Sequence, residues 1–547
     1  MRPLRRSALI LALSPMPILV VCLAAWAAPA HLFSNHLFSK NRLSADGPAS
    51  FVAPPPLEKG DAEAGRNVFR FETFGDEGFW TDAVRVPQGM KAAKVTPLDA
   101  LKTGLSFDAD RIDPALRQAL AREMRTNHSR RNAPLLNDPK TMTKLVNADA
   151  VIGFAVKTAS GGDGGDIAHG GKVGVTCALC HTITDGSVAS LPGHGGIGHR
   201  EDGRTQHNLN VGKLLAIGAN SRALYPTLQL QSGGKTIGRA PKGLTANSTE
   251  AEVDAYLSNP KYYPVGTFDD SPDGNGNSVH ITPFFRQDLA APFGSSGQNA
   301  KLEDFNNAVY TALFDMTTLT TPGGRAFLKA EAGAAGLKLS DDYIKVLKAT
   351  GVTGYPYVRA AKTGKPGTEA TLVGLRVDNQ KLLDLNAYVA SLSAPRGVVT
   401  NVASVSRGRE LFRAECTSCH NVDQGKPVSD VLIPMNRIYP GYRPAVLARR
   451  KPPLTPVQNA PGTFDDKMIV VDASGRGGIR GDALPLLLDL ARKPVFLHDD
   501  SVHSLDALLD PARGATAPHP FYVRGRSARA DMAAFLRSLD TGKGPSR

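Results

Sequence analysis

Two pentapeptides carry the residue types and the spacing that chemistry needs. Cys177-Ala178-Leu179-Cys180-His181 and Cys416-Thr417-Ser418-Cys419-His420 both read C-x-x-C-H, the attachment pattern of a c-type haem. Thiols three residues apart on a helical turn share a face and can bond the two vinyl groups of one porphyrin. The histidine that follows is carried under the iron as its proximal ligand. Five cysteines occur in 547 residues, and four of them fall in these motifs. The expected cofactors are therefore two covalently bound c-type haems. Cys177, Cys180, Cys416 and Cys419 attach them, and His181 and His420 ligate the irons.

Two other chemistries use C-x-x-C. A zinc site needs a second ligand pair. None stands beside the second motif. After the first, His194 and His199 fall at a spacing a zinc finger could use, but the stretch between is rich in Gly, Ser and Thr and poor in core residues. A thioredoxin-like dithiol would be expected once, not twice with a histidine following each time.

The elements that must position these motifs begin with an export segment. Arg2, Arg5 and Arg6 precede an apolar run from Ala8 to Ala28, and Ala25-Trp26-Ala27 offers a cleavage pattern, so residues 1–30 read as a signal peptide. The alternative is an uncleaved inner-membrane anchor, since the run approaches the roughly 20 residues that span a bilayer. Pro15 and Pro17 favour cleavage, and Cys22 leaves with the segment. The expected location is periplasmic or secreted, in keeping with haem attachment outside the cytoplasm. No later run is apolar enough for a membrane helix.

With 54 glycines and 39 prolines the chain is loop-rich, as suits a fold in which a large cofactor supplies part of the core. The net charge of +13 is spread thinly, with no aromatic-basic array for nucleic acid. It reads as a solvated surface or as a face for an acidic redox partner. Residues 31–60, with Pro54-Pro55-Pro56, form a linker, and Gly60 to Phe69 opens a short helix. Residues 97–123 read as helical pieces, and 155–174 contains a glycine-rich loop before the first motif. Helical spacing recurs at 303–316, 340–350 and 382–392. Residues 404–415 lead straight into the second motif, and a final helix, 528–539, is expected to pack across them. The expected domains are an N-terminal haem domain with extensions, 61–395, and a C-terminal cytochrome c-like haem domain, 400–547. The fold class is mainly α, two cytochrome c-like haem domains with long loop-rich insertions.

The sixth ligands need a further argument. For the second iron the candidates are His498, His503, His519, Met435 and Met468; the prolines flanking His519 would stiffen a loop that presents one side chain. The stretch Pro494-Val495-Phe496-Leu497-His498-Asp499-Asp500-Ser501-Val502-His503-Ser504-Leu505 resembles the P-x-F-H-D-G-S-x-x-T-L segment of the bacterial di-haem cytochrome c peroxidase superfamily. That superfamily includes the maturation enzyme of methylamine dehydrogenase and the larger di-haem rubber oxygenases. The resemblance covers about 170–215 and 378–540, and the long N-terminal portion suits the larger members. It implies that the loop after this segment supplies the distal ligand of the second iron, here His519. It also implies that Gly196-Ile197-Gly198-His199 offers a removable distal histidine, His199, to the first; His194 and His207 compete, and a five-coordinate iron is the alternative. Two departures stand out. Asp500 replaces the segment's glycine, and the one tryptophan beyond the export segment, Trp80, precedes both motifs, where the peroxidases keep a relay tryptophan between the haems.

The resemblance implies an oxidoreductase whose C-terminal haem transfers electrons and whose N-terminal haem activates peroxide or dioxygen. Its partners would be a small cytochrome or cupredoxin-like electron donor and a small oxidant, with no nucleic acid. Asp269, Asp270, Glu303 and Asp304 lie where a proton-handling acid could originate. The rival is a non-catalytic electron-transfer cytochrome, or a cytochrome subunit of a dehydrogenase.

Overall fold

The structure is a computed structural model that describes residues 57–232, 235–236, 242–269, 274, 278–294, 299–428, 433–434, 481–497, 500, 502–515, 517 and 519–542. The export segment, most of the linker, Asp270, Met435, Met468 and His498 lie outside the described residues. Helix predominates, and the strands are pieces of two to four residues in small sheets.

One helix crossing occurs twice. In the first copy, Ala62–Phe71 starts at Asp61, whose carboxylate accepts the Glu63 and Ala64 N–H groups, a side-chain cap on otherwise orphaned donors. It crosses Asn379–Ser391. A Cβ at Gly65 would lie 1.9 Å from the Asp384 carbonyl oxygen, so only glycine permits this approach. Phe69 meets Tyr388 with ring centres 5.5 Å apart, and the Asp384 carboxylate accepts the Asp61 N–H at 2.8 Å. In the second copy, Val402–Glu415 crosses Arg526–Arg537, the crossing expected of the final helix. Gly408 stands where Gly65 stood, its Cβ position 2.0 Å from the Asp531 carbonyl oxygen. Phe412 meets Phe535 at 5.2 Å, and the Asp531 carboxylate takes Ser404 and Arg407. Each copy thus has glycine at the crossing, an aromatic one turn on, and an aspartate in the partner helix.

The buried apolar residues follow the same division. A large cluster runs from Val68 to Val389, and a smaller one contains Phe412, Phe496, Val502, Phe535 and Leu539. Between the helix pairs, 392–401 has no regular structure.

The copies differ in how the motif follows the first helix. Val402–Glu415 ends directly on Cys416. After Ala62–Phe71 roughly a hundred residues intervene, and a strand, Lys172–Val175, delivers Cys177; it pairs antiparallel with Phe154–Lys157. The glycine-rich loop expected within 155–174 is the connection between these two strands. The strands bury Val156, Val173 and Val175, and that burial fixes them. Helix Leu302–Ala308 passes into a π turn at Val309–Leu313. The expected helix at 340–350 is the end of a longer one, Pro322–Ala349, broken at Gly333.

Candidate haem sites and the seam between them

Cys177, Cys180 and His181 lie on one short helical turn, Ala178–His181 capped by Cys177, and all three are partly buried. The thiols form no disulfide, and neither do Cys416 and Cys419. Burial of the sulfurs pushes the first pair up to about 11 and about 12. His194 and His199 are exposed, and among the described residues no three His, Cys, Asp or Glu side chains gather into a metal cage. The zinc alternative is not assembled. Haem asks less, since one or two axial ligands suffice.

His181 is oriented as a ligand needs to be. Its Nδ1 lies 2.8 Å from the Thr282 carbonyl oxygen, so Nδ1–H donates and Nε2 is left with its lone pair, the tautomer a metal requires. Phe284 stacks on the ring, centres 3.8 Å apart and planes 16° apart. Burial lowers its pKa to about 4, against the hydrogen bond's opposing pull.

His420 has a different partner. Its ring centre is 6.5 Å from that of His519. Two imidazoles bound coaxially to one metal, by bonds of about 2 Å and with centres about 1.1 Å behind the ligating nitrogens, stand about 6 Å apart. The observed separation of the two ring centres is of that order. His519 has φ +53°, a left-handed conformation that side chains adopt at some cost. Its Nδ1 is buried and makes no hydrogen bond among the described residues. Burial, then the nearby His420, lowers it to about 3. His503 is exposed.

His199 is not brought to His181. It follows strand Gly196–Gly198 and precedes Arg200–Asp202, which pairs with Thr182–Thr184. Its carbonyl accepts the Asp185 N–H, about 13 Å of strand beyond His181. The exposed ring is held 2.9 Å from Asp110, which raises its pKa. Among the described residues no histidine ring contacts that of His181. Two of the acids considered for proton handling are otherwise engaged: Asp304 pairs with Arg376 and Glu303 accepts from Asn386; the Asp269 backbone N–H donates to the Tyr263 hydroxyl.

The sequence reading missed the groups around Cys177. The Tyr310 hydroxyl is 3.2 Å from its sulfur. Asp76 is buried, accepts the Val175 N–H at 3.1 Å, and has a second oxygen with no partner among the described residues. Burial, then Glu77, hold its carboxyl well above the usual carboxylate range. Tyr310 sits on the π turn Val309–Leu313, and Trp80, four residues after Asp76, on another, Phe79–Ala83. Such turns are frequent at functional sites and were the one recoverable signal, though not from sequence. Trp80 packs in the large core against Phe79.

The two motif regions meet at a seam. Arg204 pairs with Asp489 at 3.2 Å, the Val428 N–H donates to the Leu289 carbonyl at 3.0 Å, and Phe285 packs with Ala394 and Leu488. His280 lies 2.6 Å from Asp500, and the His207 ring stacks on His280 at 5.4 Å and 22°.

Among the described residues no helix is long and apolar enough to cross a membrane. No protein-family model matches the chain, and no curated protein matches it. Among solved structures, the chain is similar to Kuenenia stuttgartiensis hydrazine synthase pressurised with xenon at 14% identity, over 49% of this chain and 74% of that one, with a TM-score of 0.24. A likeness at that TM-score carries no argument about fold or chemistry.

Proposed function

We propose that the protein is an exported di-haem c-type cytochrome oxidoreductase, akin to the di-haem cytochrome c peroxidase superfamily. The haem on His420 transfers electrons and the haem on His181 activates peroxide or dioxygen. The observation that carries this reading is the contrast between the two motif histidines. His420 faces a second imidazole at 6.5 Å, the span of one doubly ligated iron, whereas no histidine ring among the described residues contacts His181. The repeated helix crossing supports two cytochrome c-like domains, 61–395 and 400–547. Two neighbouring thiol pairs left unbridged would oxidise in an exported protein, and thioether attachment gives all four sulfurs another fate.

Haem, when bound, supplies an iron that changes oxidation state and, with a coordination position open, takes a small oxidant. The chain supplies the rest. Thr282 fixes the tautomer of His181 and raises its basicity as a ligand. Phe284 shields one face of the imidazole from water. Burial favours the protonated form of the Asp76 carboxyl, and the Tyr310 hydroxyl stands beside the Cys177 sulfur. His519 closes the other iron to substrate. The positive surface suits docking of a small acidic cytochrome or cupredoxin-like donor.

The test is a haem count on the exported protein by the pyridine haemochrome method. Two covalent haems per chain are expected, falling to one in Cys177→Ser/Cys180→Ser and to one in Cys416→Ser/Cys419→Ser. Fewer than two in the wild type, or no loss in either variant, rejects the reading.

A further inference from the structure

We propose that Asp500, acting through His280, is the positioning residue that locks the seam between the two motif-bearing regions and so holds the Thr282 carbonyl against His181. Its effect on the first haem rests on the two-haem reading above; the lock itself does not.

Asp500 carries two unfavourable features at once. Its φ is +58°, in the left-handed region that glycine enters freely and other residues at a cost. Its side chain is 8% exposed, and a carboxylate taken from water is stable only with a partner. One partner among the described residues is 220 residues away in sequence: Oδ1 is 2.6 Å from His280 Nδ1, a ring only 3% exposed. A glycine would suit this turn better, as it does in the segment the sequence resembles. The aspartate is intelligible as the group that reaches across.

On its own side, Asp500 lies in a turn closed by the Phe496 N–H donating to the Val502 carbonyl at 2.7 Å. Both side chains are in the core that contains Phe412 and Phe535, so the turn is anchored to the helix that ends on Cys416. On the other side, His280 is paired with Thr267 across a strand ladder and is stacked on His207. Two residues beyond His280, the Thr282 carbonyl takes the His181 Nδ1–H, and Phe284 lies on the His181 ring. One residue before His207, the Gln206 N–H donates to the Cys180 carbonyl at 3.0 Å. Two short covalent paths therefore run from the Asp500–His280 contact to the first motif. Lys493 and the Arg204–Asp489 pair border the contact.

The variant Asp500→Gly is suited to the test because its backbone favours glycine, so it is expected to fold. In the full-length protein, hydrogen exchange at amides 204–207, 279–282 and 284 is expected to quicken by about tenfold or more, since removing one member of a buried pair is costly. Asp500→Gly and His280→Gln are expected to be non-additive in that exchange, as residues in contact are. The reduction potential of the haem on His181 is expected to shift while that on His420 stays, a readout that general loosening would not select. Unchanged exchange, additive effects, or equal shifts at both haems overturn the lock. A wild-type haem count below two removes the proposed function alone, because the exchange arms need no haem.

Discussion

Alanine at Gly408 separates two opposed effects, and the geometry decides between them. A glycine within a helix costs about 1 kcal/mol relative to alanine, so at an open helix surface the substitution stabilises. At Gly408 the new Cβ would lie 2.0 Å from the Asp531 carbonyl oxygen and 2.7 Å from the Phe535 Cβ. The nearest obstacle is backbone, which no rotamer change relieves. Overpacking then costs toward the upper end of about 1–3 kcal/mol. The net is a loss of about 2 kcal/mol, a fall of about 4–8 °C in the midpoint of a unit of this size. Calorimetry of the full chain reads it, with Gly65→Ala, 1.9 Å from the Asp384 carbonyl oxygen, as the twin in the other helix pair. A midpoint unchanged or raised in either variant would refute the close crossing, and with it the repeated architecture.

Two further outcomes follow from buried charge. Asp76 has its folded pKa raised above the unfolded 3.8, chiefly by burial. The stability its neutral carboxyl contributes is whole below about 3.8 and is lost as pH rises through the folded value. Asp76→Asn stays neutral and keeps an acceptor for the Val175 N–H, so denaturant unfolding across that pH range should show a flatter profile; a curve parallel to the wild type contradicts this. Arg200 and Asp108 pair at 2.6 Å with side chains 2% and 6% exposed, behind the strand that backs the residues after His181. Asp108→Asn strands the guanidinium and is expected to cost about 3–5 kcal/mol, read by the same unfolding curves; a loss under about 1 kcal/mol contradicts burial of the pair.

What the sequence disclosed was whatever is written in neighbouring residues. The C-x-x-C-H motifs, the helices at 379–391, 402–415 and 526–537, and the crossing of the last two follow from spacing and apolar periodicity over a dozen residues. The prolines beside His519 pointed to a presented side chain, and in the structure its ring centre lies 6.5 Å from that of His420. What stayed hidden depends on pairing across distance. The strands at 154–157 and 172–175 exist because each buries valines against the other, a fact no local window contains. His199 looked near the first motif by residue number, yet strand pairing carries its ring to Asp110 at the surface. His280 had no local signal at all. Its meaning comes from Asp500, where a left-handed backbone and a buried carboxylate coincide, and the sequence registered only that a glycine was missing.

The division of labour between the two irons is tested most directly by electron paramagnetic resonance of the oxidised and half-reduced protein before and after adding cyanide. One low-spin signal, lost in His519→Ala, is expected to ignore cyanide in both states. A second, from the haem on His181, is expected to change when cyanide is added. Two low-spin signals indifferent to cyanide in every redox state, or a His519→Ala spectrum identical to the wild type, would contradict it.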